Sequence, residues 1–280
     1  MLITYYNKIK EGVGAQYQRI ICLLAIAKRH NIKYIHIPII IDHNYNNDPE
    51  WNEKWDKMFN INKLSNNDEI DIKEVKYTEK FRLDLDLDLD LDLDKDDNSI
   101  LYQFTYPFKV FDSNPDYYLN SIKNDIIRVY DENNSNRILI YNKSKISIAI
   151  HIRVFNKNDV VEYFNDYINN KTCRFYMTCD MYISYISKLK KEYLNSDIHI
   201  FSQKDTFDIH YKQLYDIENI TLHLEDLDTF DTFNHLCKAD ILVMGLSSFS
   251  VLAAFYNKNT VIHLPFGNTV RLKSWEIYNP

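Results

Sequence analysis

From Ile146 to Leu264 the chain alternates short apolar runs with longer stretches of helical spacing, and this alternation constrains its fold most. Ile146–Ile152, Asp197–Phe201, Ile220–Leu224, Ile241–Met244 and Thr260–Leu264 have the length and β-branched content of buried strands. Between them, Cys179–Leu194, Thr206–Tyr215, Thr229–Lys238 and a segment opened by Ser247 space their apolar residues as helices do. Strands that alternate with helices predict an α/β fold whose parallel sheet is covered on both faces. Ligands of such sheets sit at the carboxyl ends of the strands. Here those ends are His151-Ile-Arg153, Ser202 to Asp205, Glu225 to Asp228 and Gly245 to Ser248.

The first half repeats the pattern less cleanly. Leu2–Tyr6 is expected as a strand, Ala15 to His30 as a helix and Ile32–Ile41 as a second strand, with Gly12 and Gly14 in the loop between the first two. A dinucleotide fingerprint wants a small residue three positions after Gly14, and Tyr17 stands there instead. Pro49 suits the first turn of a helix through Trp51, Trp55 and Phe59. Asp42, His43, Asp48 and Glu50 precede that helix, either as a general base with its neighbours or as solvated loop and cap groups. Ile100–Phe108 is expected as a strand and Asp116–Tyr130 as one helix. The polar run Asp131–Asn136 marks a boundary between an N-terminal α/β domain, 1–135, and a C-terminal Rossmann-like domain, 136–280.

Charge narrows the range of partners. Residues 83–97, LDLDLDLDLDLDKDD, carry eight Asp against one Lys, which accounts for the whole formal net charge of −7. The remainder is balanced, so a nucleic-acid surface or polybasic membrane patch has no support. Six like charges on one strand face repel, so the repeat is expected as a low-complexity acidic loop. The four cysteines lack CxxC spacing, which predicts neither a zinc site nor a disulfide framework and suits a reducing, cytoplasmic compartment. No apolar run approaches the ~20 residues of a transmembrane helix. Glycine is scarce, only four in 280 residues, and is expected where the backbone needs a positive φ or a close approach.

The strand, tight turn and hydroxyl-rich helix start at Ile241–Ser250 can present backbone N–H groups to a phosphate. Taken alone, Ser247 is equally an ordinary N-cap. Arg153 carries a planar five-donor fork suited to phosphate, and His151 lies on the same strand face. Either residue alone reads as a surface ion pair or a satisfied buried histidine. Asp226, Asp228 or Asp231 can accept hydrogen bonds from a ribose or an exocyclic amine. Together these groups describe a site for a nucleoside diphosphate, with no Walker loop and no metal cluster.

Gly12-Val-Gly-Ala-Gln16, His151-Ile-Arg153 and Ser247-Ser-Phe-Ser250 with Ala253-Ala254, in this order, resemble motifs of the fucosyltransferases that share H-x-R. The pattern is most similar to the α-1,2-fucosyltransferases, with the α-1,6- and protein O-fucosyltransferases more distant. The resemblance implies a GT-B-like glycosyltransferase with two Rossmann-like domains facing a cleft, and an acceptor-side N-terminal domain. It implies inverting transfer of L-fucose from GDP-fucose to a glycan hydroxyl, without a metal. Arg153 would be catalytic, binding the β-phosphate and stabilising the leaving group. Donor-binding roles would fall to Gly12, Gly14, Gln16, His151, Ser202, Asp231, Ser247 and Ser248. Relatives often read H-x-R-R-x-D, where this chain has Val154 and Asn156. Ala15 replaces an Asn of the first motif, and Val251-Leu252 replace two tryptophans. Those departures leave open another nucleotide sugar, or a non-catalytic relative that binds GDP-sugars or glycans.

Overall fold

The structure is a computed structural model that describes residues 2–6, 11–41, 48–65, 72–80, 99–153, 177–263 and 271–278. The acidic repeat, Asp42, His43, Val154, Asn156, Leu264 and Gly267 lie outside these residues. The chain divides into two compact units, Met1–Asn136 and Arg137–Pro280. Each is an α/β unit around one parallel sheet.

In the first unit, β1 (Leu2–Tyr5), β2 (Lys33–Tyr34), β3 (Glu74–Lys80) and β4 (Ile100–Tyr106) form a sheet of order β2-β1-β4-β3, parallel throughout. Its helices are α1 (Val13–Arg29), α2 (Trp51–Phe59), α3 (Phe108–Ser113), α4 (Pro115–Leu119) and α5 (Lys123–Asn134). α1 is buried along most of its length, and Lys28 and Arg29 in its last turn complement the helix dipole. α2 buries Trp51, Trp55, Met58 and Phe59, the stripe expected from their spacing.

Two expectations for this unit need correction. The strand expected over Ile32–Ile41 shrinks to Lys33–Tyr34. Beyond Ile35, whose N–H still reaches Ile3 O, the backbone turns to side chains. His36 N–H donates to Ser65 Oγ, Ile41 N–H to Asn52 Oδ1, and Ile40 O accepts from Gln16. The single helix expected over Asp116–Tyr130 is two. Asn114 and Pro115 start α4, and the chain breaks at 120–122, where Ser121 Oγ donates to Tyr118 O at 2.6 Å in competition with the helix.

The second unit holds β5 (Ile146–His151), β6 (Ser196–Ser202), β7 (Ile220–Leu224), β8 (Ile241–Val243), β9 (Thr260–His263) and β10 (Glu276–Ile277) in the order β10-β9-β8-β5-β6-β7, again all parallel. Its helices are α6 (Cys179–Glu192), α7 (Lys204–His210), α8 (Thr229–Lys238) and α9 (Ser248–Tyr256). β5 is buried from Ser147 to His151, as a strand covered on both faces must be. Ile148, Ile150, Ile198, Ile200 and Val243 join Tyr182, Ile186 and Leu189 of α6 in one apolar cluster. Thr178 caps α6 and Asp228 caps α8, each accepting an N–H of the first turn. The helix expected over Thr206–Tyr215 is α7 followed by a 3₁₀ turn, Lys212–Asp216; at the break, buried Tyr211 donates its hydroxyl to Met177 O. Among the described residues no helix is long and apolar enough to cross a membrane.

Candidate functional site

The second sheet reverses its strand order between β5 and β8. From β5 the chain moves to β6 and β7 on one side, then returns to place β8 on the other. Such a reversal leaves a crevice above the carboxyl ends of the two strands, because their connections diverge to opposite faces. The segments that leave those two ends carry His151-Ile-Arg153 and Met244-Gly-Leu-Ser-Ser248. Residues 91 positions or more apart in the chain (Arg153 to Met244 at the least) are thus gathered by a register of three pairs, Ile148 with Ile241 to Ile150 with Val243.

The β5 end is held one residue past the strand. Ile152 N–H donates to Phe201 O at 3.0 Å, and Ile152 O accepts the Ser202 hydroxyl at 2.8 Å. Ser202 therefore braces the backbone from which half-buried Arg153 projects. The β8 end turns sharply: Met244 N–H still pairs with Ile262 O, and Ser247 N–H then folds back on Gly245 O at 2.8 Å. Gly245 packs so tightly there that a Cβ would stand 2.3 Å from His151 O and 3.0 Å from His151 Nδ1. Of the two reasons expected for retaining glycine, close approach is the one that operates at this position.

His151 is buried, and Ser250 links it to the turn. Ser250 Oγ accepts the Gly245 N–H at 3.1 Å and also bonds His151 Nδ1. A hydroxyl has one proton and a second lone pair besides the one that faces Gly245, so the Ser250–His151 bond suits either ring tautomer. Burial, and then the Arg153 charge, lower the His151 pKa to about 3. The ring is neutral at physiological pH, and the cationic charge of this end belongs to Arg153. No spacing in the sequence connects Ser250 to a histidine 99 residues away, so its role emerges only from the strand register.

Ser247 is the N-cap of α9, and its Oγ accepts Phe249 N–H at 3.1 Å. The cap uses one hydroxyl lone pair; the start of a nine-residue helix retains its partial positive charge and first-turn N–H groups. Exposed Ser248 stands beside it. This end of the sheet therefore combines a guanidinium, a neutral imidazole and a helix N-terminus, a set complementary to an anion with several oxygens.

The remaining sequence-predicted residues lie elsewhere. Asp231, in the first turn of α8 beyond β7, holds Arg137 Nη1 at 2.5 Å. Gly12, Gly14 and Gln16 belong to the other unit, at the start of α1 beyond the carboxyl end of β1. Gln16 is fully buried and donates from Nε2 to Glu11 O at 2.7 Å and Ile40 O at 2.8 Å. In this structure it clamps two loops together and presents no amide to solvent. Gly12 caps α1 with φ −71 and ψ 161, values open to any residue. Asp48 accepts from Lys54 at 2.7 Å and from the N–H of Glu50, the residue that precedes α2, and so acts as a loop carboxylate. Among the described residues no three His, Cys, Asp or Glu side chains converge as metal ligands.

No protein-family model matches the chain, and no curated protein matches it. Among solved structures, that of POFUT1 in complex with GDP-fucose aligns with 92% of this chain and 95% of its own, at 13% identity and a TM-score of 0.50. A complex of POFUT1 with GDP aligns with 93% of this chain and 97% of its own, at 12% identity and a TM-score of 0.49. At this level of identity the first likeness establishes a shared α/β fold with parallel sheets.

Proposed function

We propose that the protein is a GT-B-like glycosyltransferase that moves L-fucose from GDP-fucose to a glycan hydroxyl with inversion and without a metal, the second unit binding the donor and the first the acceptor. The observation that carries this reading is the convergence of Arg153, His151 and the α9 start on the switch point between β5 and β8. The ordered fucosyltransferase-like motifs and the shared fold with POFUT1 add support.

In this reading the acceptor oxygen attacks the anomeric carbon of fucose as its bond to the β-phosphate oxygen breaks. Negative charge develops on the departing GDP. The Arg153 guanidinium and the N–H groups at Ser247 and Ser248 meet that charge without reorganising, which is how prearranged donors lower such a barrier. His151 meets the nucleotide through Nε2, Ser202 holds the strand end in place, and Asp231 reaches guanine from α8 with Arg137 as its partner.

Incubation with GDP-fucose and candidate glycan acceptors, followed by GDP release, tests the reading. Turnover is expected in the native protein, falling by ~10²–10³-fold in Arg153→Ala as for loss of one charge-stabilising donor. A folded protein that binds GDP and neither transfers nor hydrolyses fucose is a non-catalytic relative. One that turns over another nucleotide sugar has a different donor.

A further inference from the structure

Between the boundary at Asn136 and β5 the chain crosses α8 as a strap, Arg137-Ile-Leu-Ile-Tyr141, without helix or strand. Apolar burial holds little of it: Ile138 is 84% exposed, and Leu139 and Ile140 are exposed as well. Polar contacts with α8 hold it instead. Arg137 Nη1 donates to Asp231 Oδ1 in the first turn of the helix at 2.5 Å, and its guanidinium lies 5.9 Å from the centre of the Phe230 ring. Ile140 N–H donates to His235 Nε2 at 3.0 Å, and buried Tyr141 gives its hydroxyl to His235 O at 2.8 Å.

Both ends of the strap converge on Asp231. His235 accepts Ile140 N–H on Nε2, so its ring proton is on Nδ1, from which it donates to Asp231 O at 2.6 Å. Burial lowers the His235 pKa and keeps the ring in this neutral form. Asp228, the N-cap of α8, accepts Asp231 N–H at 2.6 Å. The Asp231 backbone is thus fixed through its N–H and its carbonyl, and its carboxylate through Oδ1. Oδ2 has no hydrogen-bond partner among the described residues, and the side chain is 38% exposed. A carboxylate held by one oxygen and open at the other can accept from a ligand without first being ordered.

α8 starts at the same end of the sheet as α9. Phe233 of α8 stands edge-on to Phe249 of α9 at 5.2 Å, and the Phe249 ring lies 5.7 Å from that of His151. The helix that carries the fixed carboxylate is therefore packed against the anion-binding groups.

We propose that Arg137 is a positioning residue for base recognition: by fixing the Asp231 carboxylate before the donor arrives, it sets the preference for guanine over bases that lack its adjacent N1–H and 2-amino donors. The proposal rests on the donor reading above. Two neighbouring donors match the two oxygens of one carboxylate, and the match needs that carboxylate in one plane. An exposed aspartate otherwise samples several rotamers, and ordering it on binding costs conformational entropy. The Arg137 contact removes that cost from the binding step, because the side chain is already ordered in the folded protein.

Calorimetric titration of the full-length protein with GDP and with IDP, whose hypoxanthine lacks the 2-amino group, tests this. The native protein should bind GDP roughly tenfold or more tightly than IDP, as for a hydrogen bond to a charged group. Asp231→Ala should abolish that ratio. Arg137→Ala should weaken GDP more than IDP and bring the ratio most of the way to one. Arg137→Met, which keeps an aliphatic stem on Phe230 and removes the donor, should do the same. Exposed ion pairs add little to stability, so both variants should melt with the native protein, and damage to the fold would weaken both ligands alike. Arg137 variants that keep the native ratio while Asp231→Ala loses it overturn the proposal and leave the donor reading standing. Tighter GDP binding in Arg137→Ala makes Arg137 a competitor of the base and also overturns it. A ratio that Asp231→Ala leaves unchanged, or no GDP binding at all, overturns the placement of guanine at Asp231 and the proposal with it.

Discussion

At Gly245 the tolerance of the site is a matter of tenths of an ångström. A methyl group there would meet the carbonyl oxygen and ring of His151, both parts of the buried end of β5, so the strand end itself must move. Gly245→Ala should destabilise the second unit by about 1–3 kcal/mol, the usual cost of overpacking. It should also weaken GDP binding by displacing His151, whereas replacing a glycine in an open loop would do neither. Denaturant unfolding and calorimetric titration of the same variant check both parts. The residue scale also shows where sequence legibility stops. His151 and Arg153 announce themselves as a pair two apart at the end of one strand. Ser250 does not, because its partner is reached through the β5–β8 register. Gln16 poses the opposite case: its motif suggests a ligand contact, while its amide nitrogen bonds Glu11 O and Ile40 O within the fold.

For the secondary-structure elements, legibility follows burial. β5, β8 and β9 are read from the sequence nearly as they stand, since a strand covered on both faces must be apolar almost throughout; β6 and the partly buried edge strand β7 are legible from their shorter apolar runs. β3, EVKYTEK, escapes notice: it is an edge strand with Val75 and Tyr77 exposed, and nothing in its composition sets it apart from a loop. β2 is overestimated because its apolar run continues after its ladder has ended. The α9 start poses a sharper question, since Ser247 is both an N-cap and, in the proposed function, part of a pyrophosphate cradle. Ser247→Asp separates the two. Asp caps helices about as well as Ser, so stability should stay within about 1 kcal/mol of the native value. A carboxylate at the same spot repels a diphosphate, and GDP affinity should fall by tenfold or more, about 1.4 kcal/mol. Equal GDP affinity in the two proteins would leave Ser247 as a cap alone.

At the scale of the whole molecule, two parallel α/β units each reverse their strand order beside the first strand of the unit, β1 next to β4 and β5 next to β8. The alternation of strand and helix in the sequence is sufficient to predict parallel sheets. It does not give the strand order, which depends on which faces the connecting helices cover. The central claim is that the crevice of the second unit holds a guanine nucleoside diphosphate. A thermal-shift series on the full-length protein with GDP, GDP-fucose, UDP and UDP-sugars tests it most directly. The account predicts stabilisation by GDP and GDP-fucose, on the order of 2.7 kcal/mol at a hundredfold excess over Kd, little response to the uridine ligands, and a reduced shift in Arg153→Ala. No shift with any of the four, or an undiminished shift in Arg153→Ala, would contradict it.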